Sequence, residues 1–244
     1  AAKVGENFGS IVGPDFKRSP NGDVLISAQT GLPEYDKSNH VLGNASWDWT
    51  GGASTTLTYK NLSLSAIFDV KVGADLYSMS ARAAYESGKS KETLAGREEW
   101  YMSEEQRQAA GIAKGSAAWK PTAGFVAPGV IDNGDGTYRA NDIRINPEDY
   151  WMSVSRNAPS MFIYDNSYVK CRELTLSYNV PKLWLKDVVK GLTLSFVARN
   201  PFIVWKNIPN IDPDSNYNNT TGMGMEYGSL PSRKSYGFNV NVKF

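Results

Sequence analysis

The final ten residues, Ser235-Tyr236-Gly237-Phe238-Asn239-Val240-Asn241-Val242-Lys243-Phe244, alternate small or polar with apolar side chains without an error. A period of two fits an extended strand, whereas a helix would repeat its apolar positions every three or four residues. Burying Tyr236, Phe238, Val240, Val242 and Phe244 is worth roughly 1.5–3 kcal/mol for each of the larger ones, so this face must meet either lipid or a protein core. The period alone leaves both open. A soluble β-sandwich turns such a face inward and leaves Ser235, Asn239, Asn241 and Lys243 in water, while a membrane barrel turns it outward and gives the polar residues to the lumen. Ten residues at a tilt of about 45° is the length that crosses a bilayer.

The same period recurs upstream. Thr55–Tyr59, a two-residue turn at Lys60-Asn61, and Leu62–Val70 form a predicted hairpin. Its Leu62, Leu64, Ala66, Phe68 and Val70 share one face, and Ser63, Ser65, Asp69 and Lys71 the other, with Ile67 breaking the alternation. In Tyr168–Val180, Leu174, Leu176, Tyr178 and Val180 oppose Glu173, Thr175, Ser177 and Asn179, which puts Cys171 on the polar, odd-numbered face as a packed small residue. Leu192–Ala198 is the fourth strand. The connections alternate in length: Lys60-Asn61 and 181–190 are short, 73–166 and 201–234 are long. Short turns at one end of a sheet and long loops at the other are the asymmetry of a transmembrane barrel.

Composition is compatible with that reading. A net charge of +1 supplies no basic face for nucleic acid. No stretch approaches the 18 or so apolar residues of a transmembrane helix, and alternating strands average out to a modest hydrophobic content, here 41%. One cysteine, Cys171, and one histidine, His40, build neither a disulfide nor a histidine-rich metal centre, and no cofactor or metal is expected. The chain starts at Ala1 without Met or a leader pattern, and its strands are too few to close, so a fragment whose remaining strands lie N-terminal is the expectation.

The long connections carry local signals. Asp75 is placed to cap a helix through Tyr85 that stops at Gly88, and Ser103-Glu104-Glu105-Gln106 is a capping-box pattern ahead of a stop at Gly111. Asp132-Asn133-Gly134-Asp135-Gly136-Thr137 reads as a tight hairpin turn rather than a calcium loop, because the EF-hand ligand spacing is not met. Asp212-Pro213-Asp214-Ser215-Asn216 has a metal-like spacing, but Tyr217 stands where an EF-hand needs Gly, and an Asx-type turn is the better reading. Trp100, Tyr101, Trp119, Tyr138, Tyr150 and Trp151 are candidates to stack on substrate or meet a partner. Catalysis has little support: there is no Gly-x-Ser-x-Gly and no phosphate loop, and Glu98-Glu99 and Glu104-Glu105 read as solvated helix caps rather than acid pairs.

Several segments in order also look familiar. Asp165-Asn166-Ser167-Tyr168-Val169-Lys170-Cys171-Arg172-Glu173-Leu174-Thr175-Leu176-Ser177-Tyr178 resembles a strand segment of SusC/RagA-type TonB-dependent outer-membrane transporters. His40–Asn44 with Trp47-Asp48-Trp49, Thr58–Ser65, Arg199-Asn200-Pro201-Phe202, Ile211-Asp212-Pro213-Asp214, Leu230-Pro231-Ser232-Arg233 and the terminal Phe244 resemble further stretches of that family. Cys171 and Pro201 stand where Leu is usual, and Asp214 where Glu is usual. None of these departures removes a strand.

The resemblance implies an all-β fold: the C-terminal strands of an antiparallel transmembrane barrel of about 22 strands, with short helices in long extracellular loops. Residues 1–244 would form one barrel domain, with 73–166 and 201–234 extracellular and the plug outside this sequence. It implies TonB-dependent nutrient import across the bacterial outer membrane, oligosaccharide cargo ahead of peptide, a SusD-type lipoprotein lid, TonB contact through the N-terminal part, and no enzymatic role. Leu62, Leu64, Phe68, Leu174, Leu176, Tyr178, Leu192, Leu194, Phe196, Tyr236, Phe238, Val240 and Val242 would face lipid, with Phe244 a C-terminal assembly signal at the periplasmic side. The rival expectation is a soluble surface β-sandwich that binds glycans without transport; it predicts Phe238, Val240 and Val242 packed against a second sheet.

Overall fold

The computed structural model of the chain describes residues 5–185, 188–215 and 222–244. These fall into two compact units, one built from 10–43 and 77–163, the other from 5–9, 44–76 and 164–244. No helix is long and apolar enough to cross a membrane, which says nothing of strands.

The second unit is organised by a five-stranded sheet: β1 (Trp49–Tyr59), β2 (Leu62–Val72), β3 (Tyr168–Asn179), β4 (Gly191–Lys206) and β5 (Ser235–Lys243). Their spatial order is their chain order and every neighbouring pair is antiparallel, so the sheet is a meander. Tyr59 pairs with Leu62 around Lys60-Asn61, and Gly191 pairs with Lys243, which puts both short connections and the chain end at one end of the sheet. The connections 73–167 and 207–234 leave from the other end. Lys60 takes the left-handed backbone, φ 53°, that a two-residue hairpin turn requires.

Two strands are longer than the alternation implied. β1 begins at Trp49 rather than Thr55, because Thr, Ser, Gly and Ala at 50–56 carry too little hydrophobic contrast to show a period. β4 runs to Lys206, so the loop expected from Pro201 begins at 207. Pro201 is tolerated because the β3–β4 ladder breaks there: Cys171 pairs with Phe202 and Glu173 with Arg199, leaving Asn200 (φ 48°) and Pro201 outside the ladder.

The same irregularity in β3 corrects the reading of Cys171. Arg172 is an extra residue, since Cys171 pairs with Phe68 of β2 and Glu173 with Ile67. The bulge reverses the parity of the strand, so Cys171 joins Phe68 on the apolar face while Lys170 and Tyr168 join the polar one. Cys171 is fully buried and its thiol points to the Glu173 carbonyl.

The first unit carries three helices, α1 (Met79–Glu86), α2 (Arg97–Ala109) and α3 (Pro147–Asn157), and several short strands, including Ser10–Phe16 paired with Tyr35–Asn44. Asp75 does not cap α1: Asp75–Ser78 is extended, and the Ser78 hydroxyl accepts from the Ala81 N–H at 3.0 Å. Ser103 does not open a helix either, because α2 starts six residues earlier and Ser103 lies buried within it. Its N-cap is Gly96 at φ 80°, where an added Cβ would sit 2.9 Å from the Phe125 backbone, so no side-chain cap is possible. Gly111 does follow the end of α2.

α3 opens on a start signal that is present in the sequence: Asn146-Pro147-Glu148-Asp149 combines an N-cap, Pro at the first helical position and two acids in the first turn. The Asn146 side chain accepts from the Glu148 N–H at 3.0 Å. The hairpin at 132–137 forms as expected, with Val130–Asp132 paired to Tyr138–Ala140 and Gly134 and Gly136 at positive φ.

A single cluster supports this unit, with Phe16, Ile26, Ala127, Ile131, Ile145, Tyr150, Trp151, Val154 and Ala158 buried together. We expect Ile131→Ala to cost about 2–5 kcal/mol through the cavity it leaves. Amide exchange should accelerate across α3 and the 130–140 hairpin while β2–β4 keep their protection.

Candidate functional site

The ladder registers place all thirteen residues expected to face lipid on one side of the sheet, with Leu176 between Leu64 and Phe196, and Leu194 between Tyr178 and Val240. Phe196 stacks on Tyr236 at 6.1 Å and tilts against Phe238 at 5.3 Å. Among the described residues of this unit, no second sheet covers the face. Phe238, Val240 and Val242 are 86%, 60% and 40% exposed, and Trp49, Leu57 and Tyr59 of β1 are open as well. The packing that a sandwich requires at these three residues is missing.

The opposite face is joined by side-chain hydrogen bonds between neighbouring strands. Thr56 meets Ser65 at 2.9 Å, Thr58 meets Ser63 at 3.1 Å, Ser177 meets Ser195 at 2.8 Å, and the Thr193 hydroxyl donates to Asn179 at 2.7 Å. Small hydroxyls thus satisfy one another across the sheet and leave an uncharged polar surface over most of its length.

Toward the long-loop end this polar face becomes charged. Lys170, 2% exposed, donates to Asp214 at 2.6 Å, to Asp212 at 3.1 Å and to the Ser232 hydroxyl. Arg172, delivered to this side by the bulge, bridges Asp69 of β2 and Asp214. The Tyr168 hydroxyl donates to Asp214 at 2.8 Å, and the Ser232 N–H to Asp212 at 2.8 Å. The loop 207–234 is fastened to the sheet at two separate points by this cluster. Burial alone would raise the pKa of Asp214, but hydrogen bonds from Arg172, Lys170 and Tyr168 outweigh it and hold the carboxyl well below the usual carboxylate range. Burial likewise opposes, and bonds from Ser232, the Asp214 N–H and Lys170 reverse, the shift at Asp212, which is also lowered.

The Asp214 N–H donates to the Asp212 carboxylate at 3.0 Å, which is the Asx turn expected there. The carboxylates that suggested a metal are occupied by Lys170 and Arg172, and no group of three potential metal ligands exists among the described residues. Asn216 and Tyr217 lie outside the described residues.

In the first unit a cleft of about 560 Å³ brings together three of the six aromatics singled out above, Trp100, Tyr101 and Trp151, with Tyr85 of α1. Tyr101 is 68% exposed at its edge. Glu86, Arg97, Glu104, Gln108, Lys114 and Glu148 are among its polar lining; scattered along the chain with no shared motif, they leave no signal in the sequence. Tyr150 is buried beside the cleft against Phe125 and Trp151, at 4.7 and 4.9 Å, and burial followed by the charge of Tyr35 pushes its phenol up to about 12. Trp119 and Tyr138 do not line the cleft. Glu98 and Glu99 occupy the first turn of α2, and Glu104 is held by Arg107 at 3.0 Å, as solvated or paired helix acids rather than a catalytic couple.

No family model matches the chain. It is 22% identical over 266 aligned positions to TonB-dependent receptor P3 of Formosa agariphila, covering 99% of this chain and 23% of the relative. TonB-dependent receptor P26 of the same organism is 25% identical, with 96% of this chain and 20% of the relative covered. The fold matches solved structures of the RagAB peptide importer in its closed-closed and open-open states, with TM-scores of 0.53 and 0.55, 16% identity and 96% of this chain covered. The chain is similar to SusC/RagA-type TonB-dependent receptors. It spans a quarter or less of the length of these relatives, and 22–23% of the RagAB chains. The curated relatives are described as receptors and the solved structures as a peptide importer, and the likeness to the latter is one of fold over nearly the whole chain.

We expect Lys170→Met to strip about 3–5 kcal/mol from the anchoring of the loop, because it leaves Asp212 without its cation and Asp214 with Arg172 alone. Arg199→Ala, which removes the exposed pair with Glu173, should cost under about 1 kcal/mol. Urea titrations followed by hydrogen exchange at 207–215 separate the two. Because both aspartates have depressed pKa values, their contribution is full above the ordinary 3.8 and is lost as pH falls below it. Loop protection, corrected for intrinsic exchange, should therefore be flat from neutral pH down to about 4 and collapse only at lower pH.

Proposed function

We propose that this chain supplies wall strands and an extracellular lobe to a TonB-dependent importer in the bacterial outer membrane, within a closed barrel of about 22 strands. The observation that carries the reading is the bare apolar face of the five-stranded meander. Its strands, 9 to 16 residues long, reach the length a bilayer demands of a tilted strand. Lipid is the partner that such a face takes when no protein layer covers it, and the hydroxyl-lined face then belongs to the lumen.

In this reading the short connections and the chain end lie in the periplasm, and 73–167 and 207–234 rise outside the cell. Phe244 follows β5, where in this reading it serves barrel assembly. The cargo is a nutrient too large for passive entry, with oligosaccharide as the first reading and the aromatic-lined cleft of the lobe as its support. Peptide is the second reading, favoured by the likeness to RagAB, which is described as a peptide importer. A SusD-type lipoprotein lid covers the outer mouth and TonB acts through a plug contributed by other residues of the protein. The chain itself performs no chemistry.

The test is a pair of charge insertions on adjacent residues of β5. Val240→Arg should cost about 2–4 kcal/mol on the lipid side and sharply lower the heat-resistant, folded fraction in outer-membrane preparations. Asn239→Arg, on the other face, should leave that fraction near the parent level. Equal tolerance of both substitutions would remove the membrane reading.

A further inference from the structure

The end of the sheet that carries the short connections is both basic and apolar. The segments that build it, 57–64, 177–194 and 238–244, hold five lysines, Lys60, Lys182, Lys186, Lys190 and Lys243, against one acid, Asp187, and no arginine. Lys186 and Asp187 lie outside the described residues. Hydrogen bonds tie the three segments into one rim. The Asn61 side chain donates to the Asn179 carbonyl at 2.7 Å, the Val180 N–H to the Leu192 carbonyl at 2.9 Å, and the Lys190 N–H to the Lys243 carbonyl at 2.7 Å. Lys60, Lys182, Lys190 and Lys243 are all exposed, and none has an ion-pair partner among the described residues. At the opposite end of the sheet, by contrast, Lys170 and Arg172 stand against Asp69, Asp212 and Asp214. The rim therefore carries a positive field that its own single acid does not cancel.

The connection 181–190 adds the apolar component. Pro181 opens a single tight turn, Lys182–Trp184, closed by the Trp184 N–H on the Pro181 carbonyl at 3.0 Å. The turn leaves Leu183 97% exposed and Trp184 and Val188 73% exposed. Tyr59, beside the other short turn, is as open, with the Lys60 ammonium 5.3 Å from its ring centre. A turn surrounded by water gains nothing by displaying Leu, Val and Trp together. A boundary between hydrocarbon and water accommodates them, because an indole keeps its ring in the acyl region and its N–H toward the headgroups. Lysine suits the same level, its stem lying along apolar surface while the ammonium reaches the phosphates. The rim is also continuous with the bare face of the sheet, since Tyr178 and Leu192 of that face stand at either side of the connection.

We propose that this rim docks on anionic phospholipid headgroups of the periplasmic leaflet, with Leu183 and Trp184 at the acyl boundary and Lys60, Lys182, Lys190 and Lys243 on the phosphates. The proposal rests on the membrane reading and adds to it a preference for lipid of one charge at one end of the sheet. A headgroup with net negative charge, such as phosphatidylglycerol, is favoured over zwitterionic phosphatidylethanolamine, whose own ammonium already neutralises its phosphate.

The experiment uses the full-length protein in phosphatidylethanolamine bilayers, with a fluorophore attached at Leu183→Cys; Cys171 is buried and does not compete for the label. Dibrominated phosphatidylglycerol or dibrominated phosphatidylethanolamine is then added at the same bulk fraction. The glycerol lipid should quench at least about threefold more strongly. Salt at about 0.5 M should remove most of that difference, as should the double reversal Lys182→Glu/Lys190→Glu. The reversal Lys37→Glu/Lys89→Glu, at exposed lysines of the first unit, should leave it intact, and the heat-resistant fraction of each variant checks that it is folded. Equal quenching by the two lipids, or a difference that survives the Lys182→Glu/Lys190→Glu reversal, would overturn the proposal. Quenching by neither lipid would place protein or a periplasmic polymer on the rim and overturn it as well. The membrane reading is judged separately by the Val240→Arg and Asn239→Arg pair, so the two failures are distinguishable.

Discussion

A sheet whose two faces differ this much cannot be stable with water on both. In the five-stranded meander the backbone groups of the inner strands are satisfied sideways, strand to strand, and the hydroxyls of one face pair with each other. The other face offers Leu, Phe, Val and Tyr side chains to nothing within its own unit. At roughly 25 cal/mol for each Å² removed from water, covering that face is the largest favourable term available to these strands. Every other assignment follows from what covers it. Lipid requires closure, because strand edges cannot face hydrocarbon, and closure requires that β1 and β5 find further neighbours.

The buried ion cluster is the second element that organises the sheet. Taking Lys170 out of water is costly, and the cost is offset only because Asp212, Asp214 and Ser232 surround it. That arrangement depends on one extra residue in β3. Without the bulge at Arg172, strand parity would send Lys170 and Tyr168 to the apolar side, where a buried ammonium has no place. The bulge thus converts a regular strand of the sheet into an anchor for the connection 207–234, and it does so at the end of the sheet from which the long connections leave.

Much of the sheet is legible in the sequence because period-two alternation is local: Leu62–Val70, Leu174–Asn179 and Ser235–Lys243 are readable without knowing what they touch. The bulge was not, since an inserted residue leaves no compositional mark, and Cys171 was consequently put on the wrong face. The start of β1 and the continuation of β4 past Pro201 are hidden in a similar way, since small residues and a Pro read alike whether the ladder continues past them or ends. In the lobe, helix starts were misplaced because Asp75 and Ser103 are good caps that tertiary context did not use, whereas Gly96 capped α2 through backbone geometry alone. The cleft could not be read at all. Its walls join Tyr85, Trp100, Lys114 and Trp151, side chains whose meeting depends on how three helices pack, and only their aromatic character hinted at a role.

The measurement that bears most directly on the central claim is accessibility along β5 in a bilayer. Single spin labels placed in turn at 236 through 242 would be read by collision with oxygen, which partitions into lipid, and with a water-soluble nickel chelate. The account predicts a period of two, with labels at 236, 238, 240 and 242 favouring oxygen and those at 237, 239 and 241 favouring the chelate. A uniform preference for the chelate along the strand would contradict it.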